Sequence, residues 1–204
     1  MHIITILDRS WSMSKNKVAT IDGLNAYIRE QQLIDDGALF TLVMFSTSHD
    51  IVIDSVPLKQ VTPVSHDAYV CNDCTALYDT IKFVLTRYPT DSSTIVVIVT
   101  DGNDNGSETP LSTVKDLIEE KKSVGWNFIY LCNNLEVAET GTQMGVTADG
   151  MNTNNLSVGS DDIGITLSRQ VSAVTSAYRR STNRMSDVGS SESSRTREIN
   201  MPDH

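Results

Sequence analysis

Short runs of apolar residues, many of them β-branched, recur along the chain, and each has the length of a typical β-strand. They lie at residues Ile3–Leu7, Leu39–Phe45, Ile51–Val56, Thr94–Thr100 and Asn127–Cys132. Between most of these runs, apolar residues recur at helical spacing. The predicted helices cover Val18–Ile28, Leu77–Tyr88, Leu111–Ile118 and Ile163–Tyr178. Strands that alternate with helices predict an open α/β sheet.

The composition of two runs predicts their places in the sheet. The run Ile95–Val99 is apolar throughout, as in a central parallel strand that helices cover on both faces. The run Ile51–Val56 follows Leu39–Phe45 after too few residues for a parallel crossover. We therefore expect a mostly parallel sheet with one antiparallel edge strand and helices on both faces. A weaker pattern within residues 140–157 predicts a short helix and a strand near Asn155–Val158.

Length and composition favour one folded domain followed by a tail. The 204 residues, of which 39% are hydrophobic, suffice for one core at about 150 residues per domain. Residues 181–204 are rich in serine and poor in apolar side chains, so we predict a domain over residues 1–180 and a disordered tail. Arg179 and Arg180 fit the negative end of the dipole of the last predicted helix.

Charge and cysteine content disfavour several classes of function. The chain has 26 acidic and 16 basic side chains, a net charge of −10, which argues against nucleic acid as a partner. We expect neither a membrane span nor a signal peptide, because no apolar run approaches about 18 residues and the first run is short. The three cysteines indicate reduced thiols rather than a disulfide scaffold, and therefore a cytoplasmic protein.

Side chains with oxygen donors follow the predicted strands at their carboxyl ends, where sheets of this kind bind ligands. Asp8, Ser10 and Ser12 follow the first run, and in an extended segment they would point to one side. Thr75 precedes the second helix, and Asp101 follows the fourth run. Two carboxylates that converge in one crevice repel each other unless a cation is present. Because Mg²⁺ is held by one or two carboxylates with neutral oxygens and water, the set predicts a magnesium site.

The segments DRSWSM, CTALYDTI and VIVTDGNDN carry a family resemblance. They are similar to the three loops of the von Willebrand factor A (vWA) family, whose signature is DxSxS, then Thr, then Asp. TIDGLNAYI, VPLKQV and GWNFIYLCNN extend the similarity to a cytoplasmic bacterial or phage group, over about residues 1–180. The resemblance implies a Rossmann-like vWA fold with a metal-ion-dependent adhesion site. The ligands that it implies for Mg²⁺ or Mn²⁺ are Asp8, Ser10, Ser12, Thr75 and Asp101.

The function that the resemblance implies is protein binding rather than catalysis. Two carboxylates balance the charge of the metal, and an open coordination position takes an Asp or Glu side chain from a partner protein. In many family members this ligation is coupled to movement of the last helix. We predict that Trp11 is an exposed aromatic anchor beside the metal and that Asn103, in the polar loop that frames the crevice, meets the partner.

Two positions depart from the family pattern. Trp11 and the pair Asp73-Cys74 stand where the bacterial group usually has glycine. Because glycine alone freely accepts a positive φ, we expect the backbone before Thr75 to differ from that of the group.

Other functions remain open. A metal-dependent phosphohydrolase also places an Asp after the first strand, but the haloacid-dehalogenase type needs an acid two residues later, where Ser10 stands. A regulatory subunit of a larger complex, for example with a partner ATPase, is a third alternative. Cys71 and Cys74 form a CxxC that allows a redox or zinc role. Residues 101–106 resemble half of a calcium loop, but its twelfth position is Ser112 rather than Glu.

Overall fold

The computed structural model of the chain describes residues 1–88, 93–133, 135–147, 153–157 and 163–182. Within these ranges one sheet of six strands forms the centre of the fold, in the order β3-β2-β1-β4-β5-β6. The strands are β1 (His2–Asp8), β2 (Leu39–Phe45), β3 (His49–Pro57), β4 (Thr94–Val99), β5 (Asn127–Cys132) and β6 (Thr153–Ser157). Neighbouring strands are parallel, except that β3 runs antiparallel to β2 at one edge.

This sheet confirms the predicted fold class. The apolar run at Ile95–Val99 lies in β4, which pairs with β1 on one side and β5 on the other and is buried along its whole length. The antiparallel edge strand is confirmed as β3, and alternate residues of β3 are more exposed. The strand predicted near Asn155–Val158 is β6, which begins at Thr153 and ends at Ser157.

Helices cover both faces of the sheet. The long helices are α1 (Lys17–Gln32), α2 (Leu77–Arg87), α3 (Leu111–Ser123) and α4 (Leu135–Gln143). The last helix, α5, begins at Ile163–Thr166, passes through a π-helical segment at Leu167–Val171 and continues over residues 172–182. Short 3₁₀ helices lie at Trp11–Asn16, Leu58–Gln60 and His66–Ala68. Among the helices described, none has the length and apolar character to cross a membrane.

Alternating side chains of the strands divide the core between the two faces, as expected for a pleated strand. Ile3 and Leu7 of β1 belong to the cluster that packs against α1 and α5. Ile4 and Ile6 point the other way, into the cluster formed with α2 and α3. A strand buried on both faces by helices holds its carboxyl end in a fixed position, which matters for the site described below.

The helices α1 and α5 pack closely where Gly23 of α1 faces Gly164 of α5. A methyl group at Gly23 would lie 2.6 Å from the Cα of Gly164, and one at Gly164 would overlap the carbonyl oxygen of Ala19. At the carboxyl end of α1, the buried Arg179 of α5 donates hydrogen bonds to the carbonyl oxygens of Gln31 and Ile34. The last helix is therefore fastened to the first at two levels.

The predicted tail over residues 181–204 lies mostly outside the described residues. Residues 181–182 still belong to α5, and nothing beyond them is described. The division into a domain over 1–180 and a disordered tail stays a prediction.

Candidate metal site

The topology places two aspartates at the point where the strand order reverses. The chain moves outward from β1 to β2 and β3 on one side, and from β4 to β5 and β6 on the other. A crevice forms at the carboxyl ends of the two strands beside such a point. Asp8 is the last residue of β1, and Asp101 follows β4 by two residues.

Asp8 lies at the bottom of this crevice, and its side chain is fully buried. One carboxylate oxygen accepts a hydrogen bond from the backbone N–H of Ser10 at 2.6 Å, and the other accepts one from the hydroxyl of Thr100 at 2.5 Å. Burial raises the pKa of Asp8 to about 6, although the hydrogen bonds from Thr100 and Ser10 act in the opposite direction. The negative charge of Asp101 raises the pKa further. A nearby cation would relieve both costs.

Ser10, whose backbone N–H bonds Asp8, and Ser12 connect the two aspartates. Their Oγ atoms lie 3.1 Å apart, and Ser12 donates a hydrogen bond of 2.5 Å to a carboxylate oxygen of Asp101. The prediction of one extended segment is wrong beyond Ser10, because a 3₁₀ helix begins at Trp11. The hydroxyls nevertheless converge, since the helical turn brings Ser12 back over Ser10.

Asp101 and Thr75 complete the set of oxygen donors. Burial also raises the pKa of Asp101, while the hydrogen bond from Ser12 and the charge of Lys15 lower it. Thr75 is buried in the loop before α2. A methyl group placed on Gly102 would lie 3.6 Å from the hydroxyl oxygen of Thr75 and 3.7 Å from that of Ser12. The hydroxyls of Thr75 and Ser12 therefore face the same small volume beside Asp101.

The backbone before Thr75 does not need glycine. Asp73 itself adopts the left-handed conformation, with φ 58°, which aspartate tolerates better than most residues. Its carbonyl oxygen accepts a hydrogen bond from the N–H of Trp11 at 3.2 Å, and the N–H of Asn72 donates to the carbonyl of Arg9 at 2.9 Å. The loop that carries Thr75 is thus joined to the loop that carries the serines.

Substitutions of Asp73 test this backbone conformation. Asp73→Gly should change the free energy of unfolding by less than about 1 kcal/mol, because relief of the left-handed strain offsets the greater freedom of the unfolded chain. Asp73→Val should cost about 1–2 kcal/mol more than Asp73→Gly, since a β-branched side chain opposes a positive φ. Urea unfolding of both variants measures the difference, and equal stabilities would contradict the conformation.

A network of side chains that the sequence did not reveal holds the loop after β4 against the start of α2. Asn105 accepts a hydrogen bond from the N–H of Thr75 at 2.8 Å, and Asp104 accepts one from the N–H of Tyr78 at 3.1 Å. In return, Asp79 of α2 accepts hydrogen bonds from the N–H groups at 108 and 109, at 3.0 and 2.8 Å. The polar loop 101–110 therefore positions Thr75 beside Asp101. Its first part, residues 101–106, is the segment that resembles half of a calcium loop in the sequence.

Two further buried residues support Asp8. The hydroxyl of Thr100 donates a hydrogen bond to the carboxylate of Asp8. The buried Tyr69 donates one to the backbone carbonyl oxygen of Asp8. Thr100 directly precedes Asp101, so its position was a signal that sequence reasoning passed over. Tyr69 lies between two short 3₁₀ segments and the CxxC, in a stretch without a periodic pattern.

The two residues predicted to meet a partner lie in different surroundings. The side chain of Trp11 is 71% exposed beside the site. Asn103 is half-buried, and its amide is engaged within the protein. Its carbonyl oxygen accepts a hydrogen bond from Thr140 at 2.7 Å, and its NH₂ group donates one to Glu136 at 3.3 Å. Asn103 thus ties the loop to α4, and its contact with a partner stays a prediction.

The site is built from carboxylates and hydroxyls rather than from thiols or imidazoles. Cys71 and Cys74 are free thiols, Cys71 half-buried and Cys74 exposed. In the part of the chain that the structure describes, no three or more His, Cys, Asp or Glu side chains form a group that could hold a metal. The candidate site has two acidic donors, Asp8 and Asp101, and its other donors are hydroxyls.

Comparison with known proteins relates this fold to solved structures. No protein-family model and no curated protein matches the chain. A von Willebrand factor type A protein from Catenulispora acidiphila is 15% identical, with a TM-score of 0.57, over 87% of this chain and 42% of that one. Proximal thread matrix protein 1 from the mussel byssus, with a zinc-occupied MIDAS motif, is 18% identical, with a TM-score of 0.57, over 82% and 45%.

A third structure is similar over more of its own length. Manganese-loaded TRAP protein from Plasmodium vivax is 14% identical, with a TM-score of 0.63, over 87% of this chain and 72% of that one. The chain spans less than half the length of the Catenulispora and mussel structures. These similarities show the fold, and the chain has the fold of a vWA domain.

Proposed function

We propose that this chain is a protein-binding module that depends on a divalent metal. Mg²⁺ or Mn²⁺ would be held by side chains of the crevice and would take an Asp or Glu side chain of a partner protein in its open position. The residues that would hold the metal are Asp8, Ser10, Ser12, Thr75 and Asp101. The observation that carries this proposal is the hydrogen-bonded sequence from Asp8 through the two serines to Asp101.

The chemistry of the donor set supports a hard divalent cation. Every candidate donor is an oxygen, and Mg²⁺ and Mn²⁺ prefer carboxylate, hydroxyl and water ligands to thiolates. The buried Asp8, with its raised pKa, is a carboxylate whose charge is costly without a cation beside it. Occupied sites in similar structures support the same class of ligand, since the mussel protein holds zinc and the Plasmodium protein manganese.

Differences in exposure support an open side toward solvent. Asp8 and Ser10 are buried, whereas Ser12 is exposed and Asp101 is half-buried. A metal held among these groups would be enclosed from the side of the sheet and approachable from the side of Ser12. That arrangement suits a carboxylate arriving from another molecule.

The arrangement favours binding over phosphate hydrolysis. The position two residues after Asp8 carries the hydroxyl of Ser10, which hydrogen-bonds within the site and supplies no general acid. Incubation of the protein with Mg²⁺ and p-nitrophenyl phosphate should therefore release no nitrophenol beyond the rate of a boiled sample. Hydrolysis that disappears in Asp8→Asn would replace the binding proposal by an enzymatic one.

Metal-dependent stability tests the proposal. A ligand that binds only the folded state at about 100 times its Kd adds about 2.7 kcal/mol to the free energy of unfolding. We expect urea unfolding in millimolar MgCl₂ or MnCl₂ to show such a gain over EDTA, and Ser12→Ala to lose most of it. Ser14→Ala is the matched control, since Ser14 is an exposed serine of the same 3₁₀ helix. Equal unfolding curves in metal and EDTA would contradict the proposal.

Recognition of a carboxylate is tested with defined peptides. NMR titration with the peptide acetyl-Gly-Gly-Asp-Gly-Gly-amide should shift resonances of the loops at 8–12 and 101–103 in Mg²⁺ but not in EDTA. The same peptide with Asn in place of Asp should cause no shift. Shifts that persist in EDTA would show binding that does not use the metal.

A further inference from the structure

A cleft of about 660 Å³ opens directly from the candidate metal site. Residues of the 3₁₀ helix Trp11–Asn16 form one wall, and Asp101 and Asn133 also line the cleft. Ser12 and Asp101, two of the proposed metal ligands, also line the cleft. The open side of the metal and this cleft are therefore one continuous space, large enough for several residues of a partner.

The wall formed by the 3₁₀ helix is held firmly. The side chain of Met13 is fully buried, and its N–H donates to the carbonyl of Ser10 at 3.1 Å. Residues three apart in a 3₁₀ helix lie on the same face, so Lys15 lies one turn beyond Ser12 on the side of the metal site. Lys15 lines the same cleft as Ser12 and Asp101, so its ammonium group can reach a ligand bound there.

The charge of the cleft differs from that of the whole chain. The net charge of −10 disfavours acidic ligands over most of the surface. At the cleft, a divalent metal would balance Asp8 and Asp101, and Lys15 would remain as an additional positive charge. A ligand with two carboxylates matches this arrangement better than a ligand with one.

Trp11 adds an apolar surface to the same cleft. Tryptophan is enriched among the residues that dominate binding energy, and its ring offers a large apolar area at the rim of the cleft. Trp11 is 71% exposed, lines the cleft and directly precedes Ser12, whereas Lys15 follows Ser12 by three residues. An apolar partner residue next to the metal-bound carboxylate would cover it.

Building on the proposed function, we propose that the cleft binds an extended acidic segment of a partner protein with two carboxylates two residues apart. One carboxylate reaches the metal, the second pairs with Lys15, and an apolar side chain on the other side of the first packs on Trp11. The spacing follows from geometry. One turn of 3₁₀ helix advances about 6 Å, and two residues of an extended peptide advance about 6.6 Å.

A palindromic peptide tests this without knowledge of the chain direction. The probe is acetyl-Gly-Leu-Asp-Gly-Asp-Leu-Gly-amide, and its affinity is measured by calorimetry with protein loaded with Mg²⁺. Trp11→Ala should weaken binding about tenfold, as for a residue that dominates an interface. Lys15→Ala should weaken it about fivefold, as for an ion pair of about 1 kcal/mol. Lys82→Ala, which removes an exposed charge on α2, is the control and should have no effect.

Matched peptides separate the two contacts. If one Asp of the probe is replaced by Asn, Lys15→Ala should no longer weaken peptide affinity. If both Leu are replaced by Ser, Trp11→Ala should no longer weaken it. Acrylamide quenching gives a second readout, because Trp11 is exposed and Trp126, the other tryptophan, is fully buried. Bound peptide should reduce the quenching of Trp11 in Mg²⁺ but not in EDTA.

The outcomes distinguish this inference from the proposed function. Mn²⁺ affinity, measured by calorimetry, should be unchanged in Trp11→Ala and unchanged or higher in Lys15→Ala, since Lys15 is a cation near the metal. Metal-dependent peptide binding that neither variant weakens overturns the inference and leaves the metal-dependent module intact. Failure of the probe to bind metal-loaded protein also overturns the inference. Failure of the protein to bind Mg²⁺ or Mn²⁺ overturns both.

Discussion

Asp101→Ala is expected to weaken Mn²⁺ binding by about 100-fold or more. The site has only two carboxylates, and loss of groups that merely orient metal ligands already costs about 10- to 100-fold. The variant should not be less stable than the wild type in EDTA, because the charge of Asp101 also raises the pKa of the buried Asp8 and so disfavours its ionised form. Calorimetry with MnCl₂ and urea unfolding in EDTA measure the two effects.

A control from the same loop separates ligation from general charge. Glu108 is exposed and follows Asp101 by seven residues, so Glu108→Ala removes the same charge without removing a proposed ligand. It should change Mn²⁺ affinity less than about threefold, as for a screened surface charge. If Glu108→Ala weakens Mn²⁺ binding as much as Asp101→Ala does, the cation is attracted by the acidic loop as a whole, and the site is wrongly assigned.

Arg179→Met is expected to lower the free energy of unfolding by about 3–5 kcal/mol, the range for breaking one side of a buried ion pair. The side chains of Arg179 and Asp36 are 0% and 2% exposed, and two nitrogens of Arg179 donate to the carboxylate at 2.6 and 2.8 Å. Burial raises the pKa of Asp36, but the hydrogen bonds and charge of Arg179 hold it below its ordinary value. The variant would leave this carboxylate without its cation.

The same substitution also removes the cap of α1. Arg179 donates to the carbonyl oxygen of Gln31, in the last turn of α1, at 2.7 Å and to that of Ile34, just beyond the helix, at 3.2 Å. Arg180→Met is the matched control, because Arg180 is exposed on the same helix, and it should cost less than about 0.5 kcal/mol. Urea unfolding measures both variants. A cost below about 1 kcal/mol for Arg179→Met would contradict the role of this pair.

The elements of the fold could be predicted because their patterns are local. The uninterrupted apolar run Ile95–Val99 predicts a central strand, and the short connection after Phe45 predicts an antiparallel neighbour; the structure confirms both. The two arginines near the end of α5 show the limit of local reasoning. The sequence assigned both to the dipole of their own helix, but Arg179 caps α1 and pairs with Asp36, more than 140 positions away along the chain.

The sequence could predict that the five proposed donors converge, but not which residues hold them in place. Asp8, Ser10 and Ser12 share one loop, and the ends of neighbouring parallel strands bring Asp101 beside them. The hydrogen bond from Thr75 to Asn105 joins loops 30 positions apart, which no spacing rule reveals. The sequence led us to expect a changed backbone where Asp73 replaces glycine. Asp73 instead adopts a left-handed conformation, which glycine takes freely and aspartate tolerates.

The location of a bound metal tests the central claim most directly. Crystals grown in MnCl₂ and measured at a wavelength where manganese scatters anomalously would show every manganese ion. We expect one strong peak in the crevice between β1 and β4, within about 2.0–2.4 Å of at least two of the five proposed donors, and no such peak in crystals of Asp101→Ala. A strong peak elsewhere on the molecule, or an empty crevice in the presence of manganese, would contradict the claim.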